Sequence, residues 1–226
     1  STFNTLFALA TFFTFRQFEL EIKYSFLYSS LASILMYPTY GVPFTDHTTA
    51  IFCMLSIYSL CLAIQFNKKI YWFFIPILIF LAFFTKQTPT GYFGILIFFT
   101  SFLFIIFNFK KEILIYVSLG TLLSLVICLG YIYINDIPLN NILIQYFLYP
   151  MSLGETRLEW LFPFEFQRFV IRHKLIYLAL SVPIFLLFKN VFKNVLNIFD
   201  KENIIFLTLF GTLLIFITHQ LMTING

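Results

Sequence analysis

Two short segments hold the side chains best suited to chemistry. The first reads Pro38-Thr39-Tyr40-Gly41-Val42-Pro43-Phe44-Thr45-Asp46-His47-Thr48-Thr49, a bend rich in chain breakers that runs straight into an apolar stretch. Asp46 therefore stands at a helix start, where Thr45 or Asp46 can accept the free N–H groups and a carboxylate complements the dipole. Capping is one full account of the residue; the other adds an acidic group, with His47 beside it, to the lining of a polar cavity. The second segment is Thr85-Lys86-Gln87-Thr88-Pro89-Thr90, a turn between two apolar runs. If those runs cross a membrane, Lys86 carries a charge at a depth where an ammonium is costly unless paired or wet, which makes it a functional candidate. Its three donors on a point charge suit a phosphate, and Gln87 lies next to it. The alternative is a snorkelling anchor at a helix end.

A third concentration of polar groups lies in 135–174, which holds Asp136, Glu155, Arg157, Glu159, Glu165, Arg168, Arg172, His173 and Lys174 with Tyr146, Tyr149, Trp160 and Phe164 among them. Aromatics with carboxylates suit sugar rings and hydroxyls, and they equally suit an amphipathic helix at a membrane interface. Arg157, in Ser152-Leu153-Gly154-Glu155-Thr156-Arg157 after Tyr149-Pro150, is the substrate-binding candidate of this stretch. His219 and Gln220 follow the last apolar run and can reach the same region.

These residues must be positioned by hydrophobic elements, because little else is present. Hydrophobic residues make up 60% of the 226 and charged residues 11%, with a mean hydropathy of +0.91, too little polar surface for a water-soluble globule. The 34 Phe and 13 Tyr accompany many Ile and Lys, the mark of an AT-rich coding sequence, and are not read as a stacking device. Apolar runs fall at about 1–15, 24–37, 48–66, 70–84, 91–109, 113–134, 175–188 and 204–218. A helix needs roughly 20 residues to cross a core of about 30 Å, so three runs suffice unaided and the rest need flanking residues or tilt. The expected fold is all-α: a polytopic bundle of about eight transmembrane helices forming a single domain over 1–226, with 135–174 as an outward loop. The chain opens at Ser1 inside one apolar run and stops at Gly226 just after another, so it is expected to be a fragment.

Charge sets the orientation. If the runs cross in turn, Arg16, Lys23, Lys68, Lys69, Lys110, Lys111, Lys189, Lys193 and Lys201 share one side. Lys86, Arg157, Arg168, Arg172 and Lys174 share the other, four of them in 135–174. Among short loops the bias is nine to one, which assigns the first side to the cytoplasm and turns Asp46 and Lys86 outward. The run 70–84 is short of the hydrocarbon thickness, so the turn at Lys86 is expected to be recessed in an outward-opening polar cavity.

Several classes find no support. The net charge of +4 comes from basic pairs at the ends of apolar runs, a topology pattern rather than a nucleic-acid surface. Cys53, Cys61 and Cys128 lie in apolar runs without CxxC spacing or His partners, so neither a disulfide nor a metal site is read, although a divalent metal in the polar cavity is not excluded. No GxxxxGK[ST], GxGxxG, HExxH or GxSxG occurs, and no cofactor is indicated.

The order of parts resembles a known family. A bend, Phe44-Thr45-Asp46-His47-Thr48-Thr49-Ala50, a long helix, Asn67-Lys68-Lys69, a short helix, Phe83-Phe84-Thr85-Lys86-Gln87 and a further helix are similar to the membrane core of GT-C glycosyltransferases. Within these, the resemblance is to the bacterial dolichyl-phosphate-mannose protein mannosyltransferase and aminoarabinose transferase superfamily. It covers roughly residues 1–110, and Asp46 and Lys86 match the family's Asp after an outward bend and its Thr-Lys pair at a short helix end. It implies an inverting enzyme of the bacterial inner membrane that moves one sugar from a polyprenyl-phosphate donor to a lipid, glycan or protein acceptor on the outer side. The resemblance implies a base in a first outward loop that, with the N-terminal helix, is expected to lie outside this chain, and a supporting role for Asp46.

Two other functions use the same parts. A transporter or flippase of lipid-linked saccharide would share the cavity, although no repeat relates 24–109 to 113–218. A surface-polysaccharide polymerase or ligase would rely on Arg157, Arg168 and Arg172 instead, leaving Asp46 a cap.

Overall fold

A computed structural model describes residues 2–36, 45–108, 110–153, 166–171, 174–193 and 200–222. Among them no strand occurs, and each of the eight apolar runs lies on a helix. The helices are α1 (Thr2–Gln17), α2 (Ile22–Leu35), α3 (Thr45–Phe66), α4 (Lys69–Thr85), α5 (Gln87–Asn108), α6 (Ile113–Ile134), α7 (Leu139–Leu143), α8 (Lys174–Lys193) and α9 (Lys201–Met222). Four of them, α3, α5, α6 and α9, are long and apolar enough to cross a membrane. The sequence runs gave three; α9 gains its length from polar ends such as Lys201–Asn203 that a hydropathy run does not count. Residues 139–153 of the expected outward loop are helical: α7 passes into a wider π-type turn over Ile144–Leu148 and returns to helix through Leu153.

Helix ends fall where apolar runs meet charge or backbone breaks. α3 stops at Phe66, after which Asn67 takes a left-handed φ of 51° and Lys68 is extended, turning the chain into α4. Glu19, at φ 62°, makes the corresponding turn between α1 and α2.

Packing follows from which helices carry small side chains. Around α3 stand α1, α4, α5 and α9, and its face holds Thr49, Cys53, Ser56, Ser59, Cys61 and Ala63, all buried. Small residues let helix backbones approach closely where no hydrophobic drive separates helix from lipid. Consequently 61% of the α3 span is buried against 17% of α6, which makes α3 the hub and α6 peripheral. Hydroxyls in the interior bond back to the preceding turn, as Thr208 does to the Ile204 carbonyl at 2.7 Å and Thr100 to Leu96 at 2.8 Å, which offsets the cost of burying these groups. Aromatic pairs fasten the seams: Trp72 of α4 stacks on Phe104 of α5 at 5.6 Å, and Phe93 of α5 meets Phe216 of α9 at 5.0 Å.

At Gly120 the backbones of α4 and α6 come close together. A Cβ added at Gly120 would lie 2.2 Å from the Phe73 carbonyl oxygen and 2.7 Å from Pro76 Cγ. Pro76 inside α4 cannot donate to the turn before it, and glycine on α6 lets the neighbouring backbone close over that disturbed turn.

Candidate functional site

α4 is five residues shorter than α6, its neighbour, and its length decides where Lys86 stands. Its 17 residues span about 26 Å, whereas the 22 of α6 span about 33 Å. The two start near the same level, since Gly120, the eighth residue of α6, stands against Pro76, the eighth of α4. α4 therefore ends roughly 7 Å below the far end of α6, by the rise per residue. The expected six-residue turn is tighter than its sequence suggests: only Lys86 separates α4 from α5, and Thr88 (φ −107°, ψ 126°) kinks the chain inside the first turn of α5.

At this recessed junction Lys86 Nζ donates to Asp46 Oδ1 across the α3–α4 seam. The lysine side chain is 24% exposed and the aspartate 49%, so the pair sits at the rim of the bundle, not in its interior. Each charge also suits its helix: Asp46 is in the first turn of α3 and Lys86 closes the last turn of α4, where the dipoles favour an anion and a cation respectively. Sequence reasoning treated these two as separate candidates; the fold makes them partners.

Threonines fix the pair beneath. Thr49 and Thr85 share a hydrogen bond of 2.7 Å from helix to helix, while Thr49 donates to the Thr45 carbonyl at 2.8 Å and Thr85 lies 2.7 Å from the Ala82 carbonyl. Thr90 donates to the Lys86 carbonyl at 2.7 Å and its oxygen is 3.9 Å from Cys53 Sγ. The backbone on both sides of the ion pair is thus tied down. Thr49 and Thr85 were not singled out in the sequence; the available signal was a hydroxyl just before Lys86 and another one turn after Thr45, each inside an apolar run.

Of the remaining candidates, His47 and Gln87 are half-buried next to the pair, one on each side of the seam. Arg157 lies outside the described residues, as do Glu155, Trp160 and His173. His219 is half-buried one turn beyond Phe216, on the last turn of α9, at this same end of the bundle. No cluster of three or more His, Cys, Asp or Glu side chains occurs among the described residues.

Beside the ion pair the helix after α6 folds back. Tyr146 packs on Phe84 at 5.1 Å and on Phe83 at 6.3 Å, two and three residues before Lys86. Behind this aromatic contact is a cavity of about 490 Å³ between α4, α6 and residues 137–146. Phe80, Phe84 and Tyr131 give it apolar walls, and Asn141, Gln145 and Tyr146 give it hydrogen-bonding groups. Neither Asp46 nor Lys86 lines it: the cavity lies on the α6 side of α4 and the ion pair on the α3 side. The Lys86 ammonium gives one donor to Asp46 and keeps two for an anionic group.

No family model matches the chain, and no curated protein or solved structure matches it either.

Proposed function

We propose that the chain is the membrane core of an inverting glycosyltransferase of GT-C type, which takes a sugar from a polyprenyl-phosphate donor. In this reading α1 to α6, α8 and α9 all cross the inner membrane of a bacterium, the shorter α1, α2 and α4 doing so by local thinning of the bilayer and snorkelling of flanking residues. The ends at Asp46 and Lys86 face outward, where a lipid, glycan or protein acceptor arrives. The observation that carries the reading is the Asp46–Lys86 pair at the rim of the bundle, where α4 stops short of the end of α6.

The chemistry follows from that placement. An acceptor hydroxyl attacks the anomeric carbon from the face opposite the phosphate; the bond from that carbon to the phosphate oxygen breaks, and the hydroxyl proton passes to a base. Negative charge grows on the departing lipid phosphate. Lys86 meets it with its two remaining donors, strengthening as the charge develops. Asp46 holds the ammonium in place and is a positioning residue; the base is assigned to no residue of this chain. Gln87 and His47 lie where they can orient the phosphate or sugar, and Arg157 remains a candidate for the same donor.

The test is transfer of labelled sugar from a polyprenyl-phosphate donor by membranes containing the full-length protein. Transfer that depends on Lys86 supports the reading. Movement of the intact donor across the membrane without transfer would favour a flippase instead.

A further inference from the structure

The cavity of about 490 Å³ on the α6 side of α4 plays no part in the ion pair, and three stretches of chain build it. Phe80 and Phe84 of α4, Tyr131 of α6 and Tyr146 of the segment after α6 set aromatic rings around it, while Asn141 and Gln145 add two side-chain amides. Among the described residues no Asp, Glu, Lys, Arg or His lines it. Neither amide side chain makes a hydrogen bond within the described residues, so both are left to whatever fills the space.

The course of the segment explains why amides stand there. Asn141, Ile142, Gln145 and Tyr146 recur at helical spacing on the face that lines the cavity, whereas Leu143, Ile144 and Met151 lie on the opposite face and are exposed. A helix standing in water would turn its apolar face the other way. Depth accounts for the inversion: Tyr146 packs on Phe84, next to the last residue of α4, and α4 stops roughly 7 Å below the end of α6 by the rise per residue. The segment turns back to a level where lipid meets its outer face, and polar side chains at membrane depth turn to a cavity and mark a ligand or its path. Gln145 and Tyr146 also sit in the π-type turn Ile144–Leu148, a rare irregularity found often at functional sites. The mouth opens sideways, since Ile127 and Tyr131 of α6 are exposed there.

We propose that this cavity binds the uncharged sugar head of a membrane glycolipid, which enters sideways from the bilayer. A charged head would lose its water here without meeting a counter-charge. Amides that both donate and accept match hydroxyls, which do the same, and aromatic rings offer apolar faces to a sugar ring. A head with one hydroxyl would leave amide groups unanswered. The volume is within the ordinary range of ligand sites, about 300–1,000 Å³. Because the cavity shares no residue with the Asp46–Lys86 pair, the site stands whether or not sugar is transferred at that pair.

The experiment titrates the full-length protein, in a polyoxyethylene detergent that carries no sugar, with monoglucosyl diacylglycerol, diacylglycerol of the same chains and phosphatidylglycerol. Bound lipid is counted by native mass spectrometry. The glucosyl lipid is expected to bind about tenfold or more tightly than either of the others, as two or more neutral hydrogen bonds imply. Asn141→Leu with Gln145→Leu should remove that preference, Cys128→Trp should fill the cavity and weaken the glucosyl lipid, and Asn140→Leu, outside the lining, should change nothing. Equal affinity for the glucosyl lipid and diacylglycerol overturns the proposal, as does tighter binding of phosphatidylglycerol. An equal loss in Asn140→Leu also overturns it, by marking a general surface effect. Should the double variant fail to fold, the wild type decides through Cys128, which lines the cavity while Cys53 and Cys61 are buried. A membrane-permeant maleimide should label it several-fold more slowly with the glucosyl lipid present than with diacylglycerol, and equal labelling overturns the proposal.

Discussion

Lys86 has a charge to spend in two directions, and its partner decides how much is left for a ligand. The pair with Asp46 is partly exposed, and such pairs contribute only about 0.2–1 kcal/mol to stability. Lys86→Met and Asp46→Asn should therefore both leave thermal stability in detergent nearly unchanged. Transfer should respond differently. Loss of the ammonium removes charge-assisted bonds worth roughly 1.5–3 kcal/mol, a fall of about tenfold or more, whereas Asp46→Asn should cause a partial loss. The double variant should be no worse than Lys86→Met alone, because Asp46 acts through the lysine. Losses that add would show Asp46 working on something else. Beneath the pair, Thr49→Val keeps the shape but deletes the 2.7 Å bond to Thr85, and should cost about 0.6–1.7 kcal/mol in a denaturation series, the range for interhelical bonds in membranes. Asp46 and Lys86 were legible singly, one from a breaker-rich bend and one as the lone cation of the short turns expected to face outward. Their meeting was not, since 40 residues separate them and only the α3–α4 packing joins them.

At the scale of elements, the α4–α6 contact places Lys86 and one wall of the cavity. The atoms facing Gly120 are a carbonyl oxygen and a proline ring, neither able to turn aside. Gly120→Ala should therefore destabilise the protein by about 1–3 kcal/mol, the usual cost of overpacking, and lower transfer as α4 shifts. Gly211→Ala is the contrast, because its new methyl would meet only the tip of Leu96, a side chain that can rotate away. Denaturation midpoints of the two variants check this, and equal effects would contradict it. Helix positions were readable because each apolar run ends at charge or a breaker, such as Lys68-Lys69 or the turn at Lys86. Pro76 and Gly120 were visible as residues, but their contact was not, for nothing local says which helix lies beside α4. The helical course of 139–153 was open from its mixed composition, where interface helix and sugar-binding loop read alike.

For the whole molecule, orientation and chemistry stand together. With Cys128→Ser as background, a cysteine at Gln87 should react with an impermeant thiol reagent in intact cells and one at Asn67 should not; the opposite labelling would turn Lys86 to the cytoplasm and remove the outward site. The most direct test of the central claim is transfer of labelled sugar from a polyprenyl-phosphate donor, comparing membranes that hold equal amounts of full-length wild type and Lys86→Met. The account predicts transfer by the wild type, with inversion at the anomeric carbon, and a fall of about tenfold or more in the variant. Equal transfer by both would contradict it and reduce Lys86 to a charge anchoring the end of α4.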